Sequence, residues 1–354
     1  MLPLLFAAAL ITQFGPMGPD AARDPQLAAS GSTVAMTFGA GKAIYISVSS
    51  DAGKTFAPPS KVAEAEILPL SRHRGPRIAI AGPVIVITAV GGSKAAEGAH
   101  AHGLPSDGDL LSWRSVDRGR TWSKAVRVND VAGAATEGLH TLAADPKGNL
   151  FAAWLDKRGA GTKLYSARST DGGATWSDNV LVYESPDGTI CQCCHPSAAF
   201  TPDGQIAVMW RNWLGGSRDM YLALSKDGTR FSKPEKLGLG TWKLNACPMD
   251  GGGVVFSSNK LVTAWRREGE IFLSSPGEQE ISLGKGNDVA IAAGATGVYA
   301  LWATPEGIVA APPGQHAVIA LAPKGAFPSI VGLPGGQALG AWEADGHIVI
   351  KHLP

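Results

Sequence analysis

The stretch Ser169-Thr170-Asp171-Gly172-Gly173-Ala174-Thr175-Trp176 decides how the rest of the chain reads. Before it, residues 163–168 mix polar and apolar side chains, with Tyr165 and Ala167 in the alternation of a strand. Asp171-Gly172-Gly173 then supplies a turn, because the Asp bonds nearby backbone N–H groups and the glycines take positive φ. Thr175 and Trp176 resume an extended run into Val180, Leu181 and Val182. The unit is a β-hairpin with a turn stapled by side chains and an aromatic plug.

The hairpin repeats. Near-copies are Ser49-Ser50-Asp51-Ala52-Gly53-Lys54-Thr55-Phe56 and Ser115-Val116-Asp117-Arg118-Gly119-Arg120-Thr121-Trp122. A shortened copy, Ser225-Lys226-Asp227-Gly228-Thr229-Arg230-Phe231, lacks one turn residue. The shared pattern, Ser-x-Asp-x-Gly-x-Thr followed by Trp or Phe, resembles the Asp-box of the sialidase (BNR-repeat) superfamily. That resemblance implies a β-propeller in which the Asp-box is a turn staple remote from the binding face.

The remaining chain follows the same grammar. After residue 25, seven units each carry a short apolar strand, a Gly/Asp/Asn turn, a second strand often ending in Trp, a polar loop and a third strand. The second strands end at Phe38, Val90, Trp154, Trp210, Trp265, Trp302 and Trp342. Fourth strands are expected at 125–128, 180–183, 280–283 and 316–321. The last unit, 328–354, ends after its third strand, so a segment within 11–23 is expected to close the ring. Gly 45, Pro 24 and only 17% charged residues in 354 suit many short strands and turns. The fold expected is all-β, an Asp-box propeller of seven small blades, with six, the number in sialidases, as the alternative.

Residues 2–11 form an apolar run too short to span a bilayer and resemble the core of an export leader. The expected division is a leader over 1–19 and a single propeller domain over 20–354. The alternative is a buried first strand. Export places the mature chain in the periplasm or outside the cell, as a monomer without an integral membrane segment. The net charge of +1 gives no reason to expect nucleic acid as a partner.

If Asp-box turns join third to fourth strands, the inter-blade connections and the loops between second and third strands share the opposite face. Arg74, Arg77, Arg211, Arg218 and Arg266 fall there at strand ends, where guanidinium groups can clamp an anionic, glycan-like ligand. Glu137, Asp156 and Asp250 are candidate acid/base groups. His100 and His102 lie in the Gly/Ala-rich loop 91–109, a solvated loop or a lid.

All four cysteines fall on that face as well. Cys191-Gln192-Cys193-Cys194-His195, with Cys247 one blade on, admits three readings. Disulfides would staple two loops. A Zn or Cu site could draw on Cys191, Cys193, Cys194, His195, Cys247 and His140, although the adjacent pair Cys193-Cys194 is expected to strain the backbone if both bind one ion. A Cys nucleophile with a His partner is the third reading.

The family resemblance implies three arginines on a substrate carboxylate, a Tyr nucleophile backed by a Glu, and an Asp acid/base. Arg74 or Arg77, Arg211 or Arg218, and Arg266 match the arginines, but the sequence departs at the Tyr. Tyr45, Tyr165 and Tyr221 each stand four residues before an Asp-box Ser, and no Tyr falls in a loop of the candidate face. The first functional expectation is therefore an exported propeller that recognises an anionic, glycan-like ligand on the Cys-bearing face. The alternatives are an exo-sialidase or other glycoside hydrolase or lyase, and a Cys/His metal-binding protein.

Overall fold

The computed structural model describes residues 11–98, 103–314 and 317–353. These residues form seven four-stranded antiparallel sheets, and none of them is helical. Blade 1 spans residues 23–64, blade 2 77–127, blade 3 140–183, blade 4 197–236, blade 5 253–285 and blade 6 287–322. Blade 7 takes three strands from residues 326–353 and its outer strand, Ile11–Phe14, from the other end of the chain. Each blade's first strand packs on those of its two neighbours, and blade 7 meets blade 1, so the ring closes. The chain is thus the seven-bladed propeller that the spacing predicted, not a six-bladed one.

Burial grades outward as radial packing requires. Second strands lie between neighbouring blades, and Val84–Gly91, Leu150–Asp156 and Ile206–Arg211 are buried at every position. Outer strands such as Ser60–Glu64 and Ile281–Lys285 have no buried position. The core is therefore a series of wedges between blades. Ile44 and Ile46 of blade 1 meet Ile85 and Ile87 of blade 2, and Phe151 and Leu164 of blade 3 meet Val208 and Trp210 of blade 4. The second-strand residues Trp154, Trp210, Trp265, Trp302 and Trp342 are at most 2% exposed. Each removes about 200 Å² from water, roughly 5 kcal/mol of gross hydrophobic stabilisation.

The Asp-boxes join third to fourth strands, as expected. In the box of blade 3, Ser169 Oγ donates to Asp171 Oδ1 at 2.8 Å, and Gly173 N–H donates to Ser169 Oγ at 2.8 Å. The Asp171 carboxylate also accepts from Ala174 N and Thr175 N at 3.0 Å and from Thr175 Oγ1 at 2.6 Å. Slight burial would raise this carboxyl, but the Thr175 bonds outweigh it and hold it at about 2. Gly173 is required, since its φ is +80° and a Cβ there would meet Val86 Cγ2 at 3.2 Å. Trp176 Nε1 then donates to Ser112 Oγ of blade 2 at 2.9 Å, so the box plugs into the preceding blade. Phe56 does the same from blade 1, edge-on to Phe14 with ring centroids 5.9 Å apart.

Ring closure rests on Ile11–Phe14, which pairs antiparallel with His347–Leu353, Phe14 opposite Ile348. Phe14 is 8% exposed, in the wedge between blades 7 and 1. The closing strand lies inside the segment 1–19 read as an export leader. A leader ending before Ile11 leaves the ring whole, and one ending at 19 removes its closing strand.

Candidate functional site

Strand alternation puts the inter-blade connections and the loops between second and third strands on the face opposite the Asp-boxes. There they surround a cavity of about 1220 Å³. Arg72 and Arg74 reach it from the connection between blades 1 and 2, Glu137 from the next, then Cys193, then Cys247 with Met249. Asn287, Asp288 and Phe327 follow from blades 6 and 7, and Lys157 and Arg266 come from the ends of second strands. Beneath lies a narrower axial channel of about 190 Å³, with His73, Arg77 and His195 in its wall.

Of the arginines singled out from sequence, Arg74 and Arg266 line the cavity, while Arg77, Arg211 and Arg218 do not. Arg74 donates from Nε to Glu137 O at 2.8 Å. Its guanidinium pKa is lowered by burial. Arg266 stands 3.7 Å from Asp250 Oδ2 with its side chain 24% exposed. Arg77 is buried and donates to the backbone carbonyls of His73, Gly75 and Pro76, with its pKa lowered by burial to about 10. Arg211 is 1% exposed and donates to the carbonyls of Asp250, Arg218 and Arg266 at 3.1, 2.8 and 2.9 Å, stitching blade 4 to blade 5. Arg218 stacks over Trp213 at 4.4 Å and donates to Leu244 O and to Cys191 Sγ.

The acidic candidates also separate. Glu137 is in the cavity wall, 3.2 Å from Lys157 Nζ. Asp156 is fully buried, accepting from Trp154 Nε1 at 2.8 Å and from Arg158 Nε at 2.9 Å. Asp250 lies below the wall, where its Oδ2 accepts from Asp288 N–H at 3.0 Å while Oδ1 has no hydrogen-bond partner. Burial first, then the Asp288 charge, raises its pKa.

The six sulfur and imidazole candidates form no single cluster. Cys191, Cys193 and Cys194 converge, each buried. Cys247 is exposed in the cavity wall. The His195 ring lies against His73, centroids 4.3 Å apart. His140 is wholly buried one strand away, 3.0 Å from Thr88 Oγ1, and burial pushes its pKa down to about 3. His100 and His102 lie outside the described residues.

Sequence reading did not single out the pair at the neck between the cavity and the channel, Asp288 lining the first and His73 the second. His73 Nε2 is 2.7 Å from Asp288 Oδ1, both buried. Burial alone would favour the neutral imidazole, but the Asp288 carboxylate outweighs it and raises the His73 pKa. Ser71, Arg72 and His73 all have left-handed φ (82°, 52° and 66°), a strained loop that turns Arg72 outward and His73 inward. Asp24, Asp288 and Phe327 repeat one position at the start of a first strand, with φ of 51°, 58° and 49°. In all three blades the pairing register shifts just there. That repeated position is the signal that could have found Asp288.

Near the same neck, Glu343 stands 4.0 Å from Arg23, its Oε1 without a hydrogen bond. Burial and the Asp24 charge push its carboxyl up to about 8. The folded pKa exceeds the unfolded one, so this group's contribution is full below about pH 4.5 and is lost as pH rises toward 8. Glu343→Gln is expected to flatten the fall of Tm between pH 5 and 9, gaining on the order of a few kcal/mol over the parent at pH 9. Parallel Tm profiles for the two proteins would refute the assignment.

A seven-bladed propeller with Asp-box staples on one face and a charged axial cavity on the other defines the class. The chain belongs to the BNR repeat-like domain family, whose model matches residues 81–279, more than half its length. No curated protein matches it. Among solved structures it is similar to a polysaccharide lyase of family PL25, an ulvan lyase bound to -[GlcA(1-4)Rha3S]- (TM-score 0.58, 12% identity, 94% of this chain and 93% of the other covered). It is similar to the NanB sialidase of Streptococcus pneumoniae (TM-score 0.54, 12% identity, 99% and 71% covered). It is also similar to the GH93 α-L-arabinofuranosidase of Fusarium graminearum in complex with arabinobiose (TM-score 0.53, 15% identity, 94% and 93% covered). At these identities the likeness is one of fold.

Proposed function

We propose that the cavity binds an acidic glycan, and that the chain acts as an exported, monomeric glycan-recognition propeller. The observation that carries the reading is the charge lining the cavity. Arg72 is exposed there, and no ion pair to it is found among the described residues. Arg266 makes only a 3.7 Å approach to its nearest carboxylate, Asp250, and Arg74 lines the same cavity. A carboxylate or sulfate on a sugar meets two or three donors in one concave site. Solved propellers of similar fold are glycan-active or bound to glycans by name, including one bound to a sulfated, uronate-containing saccharide.

The test is a glycan panel in which uronate-, sulfate- and sialate-bearing oligosaccharides are matched with neutral counterparts. Acidic members are expected to bind, more weakly as salt rises. Arg72→Ala and Arg266→Ala are each expected to cost roughly 10-fold or more, the value of a charge-assisted hydrogen bond. Equal retention of acidic and neutral glycans would defeat the proposal.

A second reading, glycan cleavage, rests on Glu137, whose carboxylate lies in the wall beside Lys157. No Tyr is among the described residues lining the cavity, so a Tyr nucleophile of the sialidase kind finds no support here. Turnover of a bound acidic glycan that disappears in Glu137→Gln, with binding retained, would establish the second reading over simple recognition.

A further inference from the structure

The connection between blades 3 and 4 carries a feature that glycan recognition does not use. The Cys191, Cys193 and Cys194 sulfurs stand 3.6 Å (191–193), 3.4 Å (191–194) and 3.9 Å (193–194) apart. Three sulfurs each about 2.3 Å from one tetrahedral ion would be separated by about 3.8 Å. A disulfide would require two of them about 2.0 Å apart and would leave the third buried alone. Although Cys193 and Cys194 are adjacent, the three sulfurs converge with no left-handed φ at any residue from 190 to 196. The loop is pinned at its start, with Ile190 N–H donating to Thr162 O at 2.9 Å and Cys191 N–H to Arg211 O at 3.2 Å.

We propose that Cys191, Cys193 and Cys194 form a tripod for one thiophilic d10 cation, Zn²⁺ or Cu⁺, opening toward the cavity at Cys193. Charge and access support it. Arg218 Nη1 donates to Cys191 Sγ at 2.9 Å, and its position is fixed by Leu244 O and the Trp213 ring. Three thiolates, one Zn²⁺ and this guanidinium sum to zero, so the buried cluster carries no uncompensated charge. Soft thiolates also suit Cu⁺, and the Met249 thioether packs against the trio. Cys193 and Met249 both line the cavity, which gives an ion a path from solvent. His195 and His140 belong elsewhere in the fold and are not ligands of this site.

The experiment uses the full chain purified without chelator, then reduced, stripped of metal and titrated anaerobically with Zn²⁺ alone and Cu⁺ alone. One equivalent is expected to bind, with a thiolate-to-metal absorption band and a rise in Tm over the metal-free protein. Native loaded protein is expected to show one reactive thiol, the exposed Cys247, and stripped, denatured protein four. Cys194→Ser is expected to bind about 100-fold more weakly or worse. If that variant does not fold, the stoichiometry and Tm shift of the parent decide the matter alone. A buried disulfide in the unreduced protein followed by no uptake after reduction overturns the site, as does unchanged affinity in a folded Cys194→Ser. Neither result bears on glycan binding.

Discussion

A chain that begins at residue 20 is expected to lose its cooperative fold near ambient temperature, whereas one that begins at Ile11 keeps it. The four-residue strand Ile11–Phe14 is small, but its removal acts at the noncovalent seam that closes blade 7. It strips the outer backbone partner from His347–Leu353 and leaves that strand an open edge. It also removes Phe14 from the wedge that holds Val34, Met36 and Phe38 of blade 1 against Leu339 and Ile350 of blade 7. Deleting a buried Phe side chain alone costs about 3–5 kcal/mol, and the lost ladder adds to it. Against a typical domain stability of about 5–15 kcal/mol, that leaves little margin. Thermal and urea melts of the two chains decide it, and melting temperatures within a few degrees of each other would show that the seam holds without this strand. If the chain is exported, as proposed, N-terminal sequencing of the secreted protein is expected to find a start at or before residue 11.

The fold was legible because propeller grammar is local. An Asp-box lies within eight residues, and a second-strand Trp followed by a polar loop marks five of the seven blades without knowledge of their neighbours. The missing fourth strand of the last unit was legible too, since a ring needs seven complete sheets and the chain end supplied only three strands. Face assignment then followed from strand alternation, and it is why Arg74, Glu137, Cys193, Cys247 and Arg266, read from separate loops, lie around one cavity.

What did not show was the partner of each polar group. Arg77, Arg211 and Arg266 are the same residue type at strand ends on the same face, yet two are consumed by backbone carbonyls and one faces the cavity. Asp156 and Glu137 separate for the same reason, since Trp154 and Arg158 claim the first. The His73–Asp288 pair joins residues 215 positions apart, a contact that only ring closure creates. Within the Cys cluster, sequence proximity misled at His195, whose ring turns to the axis while its neighbour Cys194 turns to the other sulfurs.

Arg211→Ala is therefore expected to act on stability and not on ligand contact. Its guanidinium serves three carbonyls from three segments and lies 5.2 Å from the Trp242 ring centroid, while its own carbonyl accepts the Cys191 N–H. Truncation leaves those carbonyls without donors in a buried site, and each costs about 1–3 kcal/mol. Some will be recovered by relaxation, so a net loss of about 3–5 kcal/mol, or roughly 10 °C in Tm, is the expected size. Arg211→Lys should recover only part, because a point charge cannot reach three diverging acceptors as the planar guanidinium does. Affinity for acidic glycans, measured well below the lowered Tm, is expected to change little. The opposite pattern, an unchanged melt with lost affinity, would move Arg211 from the frame of the site into its binding surface.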